Sequence, residues 1–286
     1  MKNMSTFSRS LVVVILCWAV SPPLQAQVVV YPVVAVDQVF TSGTYRDASQ
    51  EKISHYGVRI SFIDHWNSAW TGGYRRTGIA YTGGFEYLQN QFLLSKGHSF
   101  VVGSNLLSLR SDLVYTSSNS ALTDKSVTFY GGLWYHLVAS NLILGVQAQG
   151  NLFKDVRTMG VSGSVSGGIG TGGWLTGRVN VDRFADDIGH GQTLLSTNVS
   201  YYHSLSHSAG MLLTGKYGRR SLYYEPDIFL LYNTFDAHQA GGGFTVFVAP
   251  WPWGSLFADI SYDRFSPVAG GTYSATYYSI GGRLAF

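Results

Sequence analysis

Cysteine is almost missing from this chain. Of 286 residues one is a cysteine, Cys17, so the sequence beyond it holds no disulfide, no thiol nucleophile and no cysteine metal site. Charge is scarce too: Asp, Glu, Lys and Arg make up 12% of the residues, about half the usual share. The formal net charge is only +3, and it falls to +1 once Lys2 and Arg9 are set aside. So small an excess builds no basic stripe, which excludes nucleic acid as a partner. Long apolar runs are absent as well. Past the first 26 residues the longest, Val28–Val36, is short and broken by Pro32, far from the ~20 residues a membrane helix needs. Low charge without long apolar runs is what arises when apolar residues occupy one face of a strand only.

Aromatic residues and glycine are abundant, at 15% and 34 residues respectively. The chain starts with the pattern of an export signal. Lys2 and Arg9 supply positive charge, Leu11–Val20 a short apolar core, and Ser21–Ala26 a cleavage region. Leu16 stands before Cys17 where a lipid-anchor signal wants a small residue. The expectation is a signal peptide over 1–26 and one domain over 27–286.

Period-two alternation recurs through that domain. In 142–152, Leu142, Leu144, Val146, Ala148 and Leu152 alternate with Ile143, Gly145, Gln147, Gln149 and Asn151. Segments 57–64, 175–182, 195–202 and 254–263 repeat the theme. Tracing it predicts fourteen strands, near 30–40, 52–63, 70–82, 85–94, 99–116, 125–137, 142–154, 157–169, 173–184, 192–203, 209–219, 238–249, 254–264 and 272–286. Twelve or sixteen are the alternatives, since 85–116 divides in more than one way. With both ends on one side, the connections at 64–69, 95–98, 138–141, 170–172, 204–208 and 250–253 come out mostly short. The opposite set, 41–51, 117–124, 185–191 and 220–237, comes out longer. That asymmetry belongs to a transmembrane antiparallel up-and-down β-barrel with short periplasmic turns and longer external loops. Trp66, Trp70, Trp251 and Trp253 fall at the short turns, as an inner aromatic girdle would.

The last eight residues, Ser279 to Phe286, read polar-x-Gly-x-x-apolar-x-apolar and end on an aromatic side chain. As a strand they place Phe286, Leu284, Ile280 and Tyr278 on one face and Arg283, Ser279 and Tyr277 on the other. Ser279, Gly281, Leu284 and Phe286 form the pattern that the outer-membrane barrel-assembly machinery reads in a final strand. The chain thus resembles bacterial outer-membrane β-barrels. It is similar in length and strand count to monomeric OmpG-like porins, and in the layout of Tyr217–Phe286 to YaiO-like barrels related to exopolysaccharide exporters. The resemblance implies outer-membrane lipid and lipopolysaccharide as surroundings and a small solute or saccharide as cargo. Short external loops set it apart from large trimeric porins, where a long loop folds inward.

Fourteen strands at ~4.8 Å spacing and ~40° tilt enclose a cylinder roughly 28 Å across. The side chains expected to line it are Arg59, Arg110, Asp112, Tyr130, Trp134, Arg178, Asp182, Lys216, Asp259, Asp263 and Arg283, with Tyr202, Tyr273 and Tyr277. Both charge signs occur, so no strong ion selectivity is expected. Aromatic rings beside Arg, Asp and amides suit a sugar, while interior ion pairs and tyrosine ladders are the plainer role for each residue.

Other motifs carry little chemistry. Gly163–Gly173 looks like a phosphate-binding loop but lacks a closing Lys and a following helix. Asp186, Asp187 and His190 cluster in an expected external loop, where solvated charge is the commoner reading than a cation site. Arg219 and Arg220 fall at the outer rim, within reach of lipid phosphates. No histidine has a serine two positions on, the spacing of outer-membrane lipases, and His203–Ser208 has the wrong spacing. Asp236-Ala-His238 matches half of a barrel protease dyad without the second acidic pair. The expected function is a passive channel for hydrophilic solutes or saccharides, needing neither cofactor nor metal. A structural or envelope-assembly barrel is the alternative, and a lipid-active enzyme the third.

Overall fold

Alternating residues close on themselves in a ring of fourteen antiparallel strands. The computed structural model describes residues 33–64, 68–121, 123–186, 191–226, 230–232, 236–267 and 271–286. The expected signal peptide, Trp66, Asp187 and His190 lie outside them. The wall comprises β1 (Val33–Arg46), β2 (Gln50–Ile63), β3 (Ser68–Tyr81), β4 (Glu86–Val102), β5 (Asn105–Ser118), β6 (Ser126–Leu137), β7 (Leu142–Leu152), β8 (Val156–Ile169), β9 (Gly173–Asp186), β10 (Gln192–Ser206) and β11 (Ala209–Arg220). After a two-stranded hairpin, β12 (Tyr223–Glu225) and β13 (Leu230–Tyr232), it resumes with β14 (Ala237–Trp251), β15 (Gly254–Ser266) and β16 (Tyr273–Ala285). Each wall strand pairs with its sequence neighbour, except that β11 pairs β14 and β16 closes on β1.

The burial pattern is that of a globular protein turned inside out. On β7, Gln147 and Asn151 are buried while Val146 is 59% exposed. On β16, Arg283 and Tyr277 are buried while Ile280 is 64% exposed. An apolar outer face over a polar interior suits a wall between lipid and water.

The closing seam carries its own charge cluster. Asp37 on β1 lies 3.5 Å from Arg283 Nε on β16 and 3.7 Å from Arg59 Nε on β2. Both arginines share one carboxylate across three adjacent strands.

Two boundaries differ from the sequence expectation. The turn expected at 95–98 lies instead at 103–104, where Gly103 adopts φ +62°. Ser95-Lys96-Gly97-His98 reads as a polar turn, yet Ser95 faces inward onto Asp112 and Lys96 lies over the Trp70 ring outside. The loop expected at 41–51 shrinks, because Thr41 to Arg46 continue pairing with Ser279 to Ser274.

The larger correction concerns the longest loop. Of that loop, residues 221–226 and 230–232 do not stand outside the barrel but fold into it. Leu222, Tyr223, Tyr224 and Leu231 are all 2% exposed or less. Large apolar side chains in succession are costly in water; Leu222, Tyr224 and Leu231 pack on an apolar patch within the otherwise polar interior, and Tyr223 lies against Arg220.

Candidate functional site

The site is the hairpin and the wall it touches. β11 ends at Arg220, which a bulge after Tyr217 brings inward. Arg220 Nε donates to Asp182 Oδ2 on β9 at 2.8 Å, and its guanidinium stacks 4.0 Å from the Tyr223 ring. Arg220 is therefore an interior residue, not the outer-rim lipid contact expected for it. Arg219 alone of that pair is exposed.

From there the chain crosses the lumen. The Leu222 carbonyl accepts from Asn151 Nδ2 on β7 at 2.8 Å and from Thr158 Oγ1 on β8 at 3.1 Å. Leu222, Tyr224 and Leu231 pack with Leu93, Val114, Tyr130, Phe153 and Val156, a patch contributed by the wall opposite β11 and its flanking loop. The Tyr224 hydroxyl donates to Asp112 Oδ2 on β5 at 3.1 Å. Burial, and then the Asp112 charge, push that hydroxyl well above its ordinary pKa, so it remains a donor. The Tyr224 amide donates to Gln149 Oε1 at 3.3 Å, and the Pro226 carbonyl accepts from Arg110 Nη2 at 3.4 Å.

Glu225 is the hairpin's buried charge. Its Oε1 accepts from Arg178 Nη1 on β9 at 3.3 Å, and Arg220 lies 4.0 Å from Oε2. Burial pushes this carboxyl up, but Arg178, Lys216 and Arg220 together hold it below its ordinary value. A crevice lined by Tyr130, Gln149, Arg178, Asp182, Arg220 and Tyr224 is all that separates hairpin from wall there.

The residues named from sequence fall into five sets. Arg110, Asp112, Tyr130, Arg178 and Asp182 meet around the hairpin. Arg110 Nε donates to Asp112 Oδ1 at 2.7 Å, its Nη2 pairs with Oδ2, and its guanidinium lies 5.5 Å from the Tyr130 ring. Arg59 and Arg283 belong to the seam. Lys216 is half-buried, and its charge bears on Asp259 and Asp263. Asp259 accepts from Thr245 Oγ1 at 2.8 Å, and Asp263 lies 2.9 Å from His238 Nε2. Trp134 lies over Gly132 and Gly145, where an added Cβ would overlap its ring. Of the final-strand pattern, Leu284 and Phe286 are exposed, Ser279 Oγ lies 2.9 Å from Thr41 Oγ1, and Gly281 seats the Phe257 ring.

Sequence reading missed Asp37, Gln149, Asn151 and Glu225. A signal for the last three existed: Leu222-Tyr223-Tyr224 and Leu230-Leu231-Tyr232 are too apolar for a solvated loop. The half-dyad Asp236-Ala-His238 does not assemble, since Asp236 Oδ2 accepts from the Tyr273 hydroxyl at 2.7 Å while His238 faces Asp263. At the mouth beside the hairpin, Ile53, Ile79, Tyr87, Phe265, Tyr273 and Tyr277 belong to an inward hydrophobic cluster, four of them aromatic. Phe265 and Tyr273 stack with centroids 5.1 Å apart.

No protein-family model matches the chain, and no curated protein matches it. Solved structures do resemble it. The CymD monoaromatic hydrocarbon channel has 8% identity and a TM-score of 0.61, with 89% of this chain and 88% of that one covered. The Ralstonia pickettii toluene transporter TbuX has 8% identity and a TM-score of 0.57, with 89% of each chain covered. An outer-membrane channel from Pseudomonas putida F1 has 12% identity and a TM-score of 0.52, covering 93% of this chain and 100% of that one. At such identities the likeness establishes the fold, an outer-membrane type of closed β-barrel.

Proposed function

We propose that this chain is an outer-membrane channel for small solutes, closed at rest by the β12–β13 hairpin. The observation that carries the reading is the hairpin's attachment. It crosses the lumen on hydrogen bonds and ion pairs to β5, β7, β8 and β9, contacts that break and re-form without unfolding the wall. The leader would be removed after Ala26, and the Ser279–Phe286 pattern would guide insertion among outer-membrane lipid and lipopolysaccharide by the assembly machinery.

The solute we infer differs from the saccharide that the sequence suggested. Tyrosine and phenylalanine crowd the mouth while Arg, Asp, Thr and Gln line the wall below. An aromatic ring bearing a compact polar head, such as that of an aromatic amino acid, suits that succession better than a sugar chain, which needs an open lumen. Two of the similar structures being a monoaromatic hydrocarbon channel and a toluene transporter agrees with a ring-bearing solute.

Proteoliposome swelling tests this reading with phenylalanine, glucose and maltose. Entry should be faster for phenylalanine than for maltose, and removing the hairpin should admit all three. Equal entry of maltose into the intact protein would reject the solute class. A second reading, a purely structural barrel, is favoured by the filled mouth, and it requires that no solute enter either form.

A further inference from the structure

One row of side chains runs around the outer face along the hydrogen-bonding direction: Val34, Phe62, Trp70, Lys96, Ser111, Gly131, Ala148, Val161, Val181 and Leu195. Its two ends are bulky. Its middle, Lys96 to Ala148, is small or charged. Leu113 and Phe129 stand above that stretch, and Leu109, Leu133 and Val146 stand below. The outcome is a largely apolar trench of about 800 Å³ across β4–β7, with Lys96 and His98 at its β4 edge. A Cβ built on Gly131 meets nothing within 4 Å, so the floor is open.

A lysine on a lipid-facing strand is costly without a partner. Lys96 is exposed among Phe92 and Leu94, and its Nζ lies 4.5 Å from the Trp70 ring centroid. Among the described residues no carboxylate pairs with it. Its depth indicates which anion does. Val34 pairs with Phe286 at the end of the barrel carrying both strand termini, and three register steps separate Val34 from Lys96. At ~4.8 Å spacing and ~40° tilt these raise Lys96 by roughly 9 Å. A lysine stem spans most of that distance to the headgroup layer.

Resting on the membrane reading but not on conduction, we propose that this trench binds one acidic phospholipid of the leaflet at the terminus end. The phosphodiester pairs with Lys96, and an acyl chain lies over Ser111, Gly131 and Ala148. The trench from Lys96 to Ala148 is about 14 Å long, enough for most of an acyl chain. A second copy of the chain is disfavoured, because it would leave the lysine without an anion.

The full-length mature barrel, refolded in detergent, is tested by native mass spectrometry with phosphatidylglycerol and phosphatidylcholine of identical acyl chains. Intact protein should retain one phosphatidylglycerol about fivefold more than phosphatidylcholine, as an ion pair of ~1 kcal/mol gives. Lys96→Gln should abolish the preference and keep acyl binding. Gly131→Leu, which fills open space, should lose both lipids while the heat-sensitive gel mobility of the folded barrel persists. Equal retention of the two lipids by intact protein, an unchanged preference in Lys96→Gln, or a dimer mass in place of the lipid adduct would each overturn the proposal. Failure of the intact barrel to fold in any detergent or bilayer would defeat the membrane reading itself.

Discussion

The Tyr224 hydroxyl donates to Asp112 Oδ2 at 3.1 Å across the lumen, joining the hairpin to a wall strand 112 residues earlier. Asp112 is held independently by Arg110 and Ser95, so the wall presents a fixed acceptor and the hairpin supplies the movable donor. Tyr224→Phe keeps the ring packed against Tyr130 and deletes only the bond. A hydrogen bond to a charged group contributes about 1.5–3 kcal/mol, so the displaced hairpin should become about tenfold more populated or more. Single-channel open probability measures it, and an unchanged value would show that this bond does not hold the closed state.

The Glu225 carboxyl gives the closure a pH dependence. Its folded pKa lies below its ordinary value despite the opposing effect of burial, so its contribution is present above the ordinary carboxylate range. That contribution is lost as pH falls through the depressed folded value. Closure should therefore be stable at neutral pH and weaken only in strong acid. Glu225→Gln should be leaky at pH 7 and lose this acid response. Conductance recorded against pH decides the point, and acid opening retained in Glu225→Gln would assign it to another group.

Trp134 and Gly132 form a second fitted pair inside the wall. A Cβ at Gly132 meets the indole of Trp134 among its nearest atoms, so Gly132→Ala should destabilise by about 1–3 kcal/mol through overpacking. Adding Trp134→Ala should recover part of that loss. Heat-induced unfolding followed by gel mobility completes the double-mutant cycle, and strict additivity would show that the ring does not cause the effect.

At the seam, Asp37→Asn removes the one carboxylate that Arg59 and Arg283 share. Two like charges then face each other across β16, β1 and β2. The expected loss is on the order of 1–3 kcal/mol, discounted for partial exposure. Arg59→Gln should be milder, since Arg283 still pairs with Asp37. Urea unfolding from vesicles ranks the two variants, and the reverse order would refute the shared-carboxylate account.

The wall was legible because each lipid-facing residue obeys a strictly local rule. Leu144, Val146, Val179 and Ile280 announce their face by position alone, and fourteen strands follow from repeating that observation. Boundaries were less legible wherever both faces are polar. Thr41 to Arg46 and Ser95 to His98 read as loop or turn because alternation fades near the rims, and only long-range pairing makes them strand. The hairpin was not legible as a plug. Its contacts with Asp112, Gln149 and Asn151 span 112, 75 and 71 residues of sequence, and no local pattern encodes such distances. What the sequence does carry is an anomaly, namely apolar clusters in the longest loop. Burial inside the barrel explains it.

Planar-bilayer recording tests the central claim most directly, comparing the intact protein with a variant in which residues 222–235 are replaced by a short Gly-Ser turn. The expected result is a quiet or briefly flickering intact barrel and a hairpin-free form with steady, much larger steps. Equal conductance in the two forms, or silence in both despite verified insertion, would contradict the claim that the hairpin is the closure of a channel.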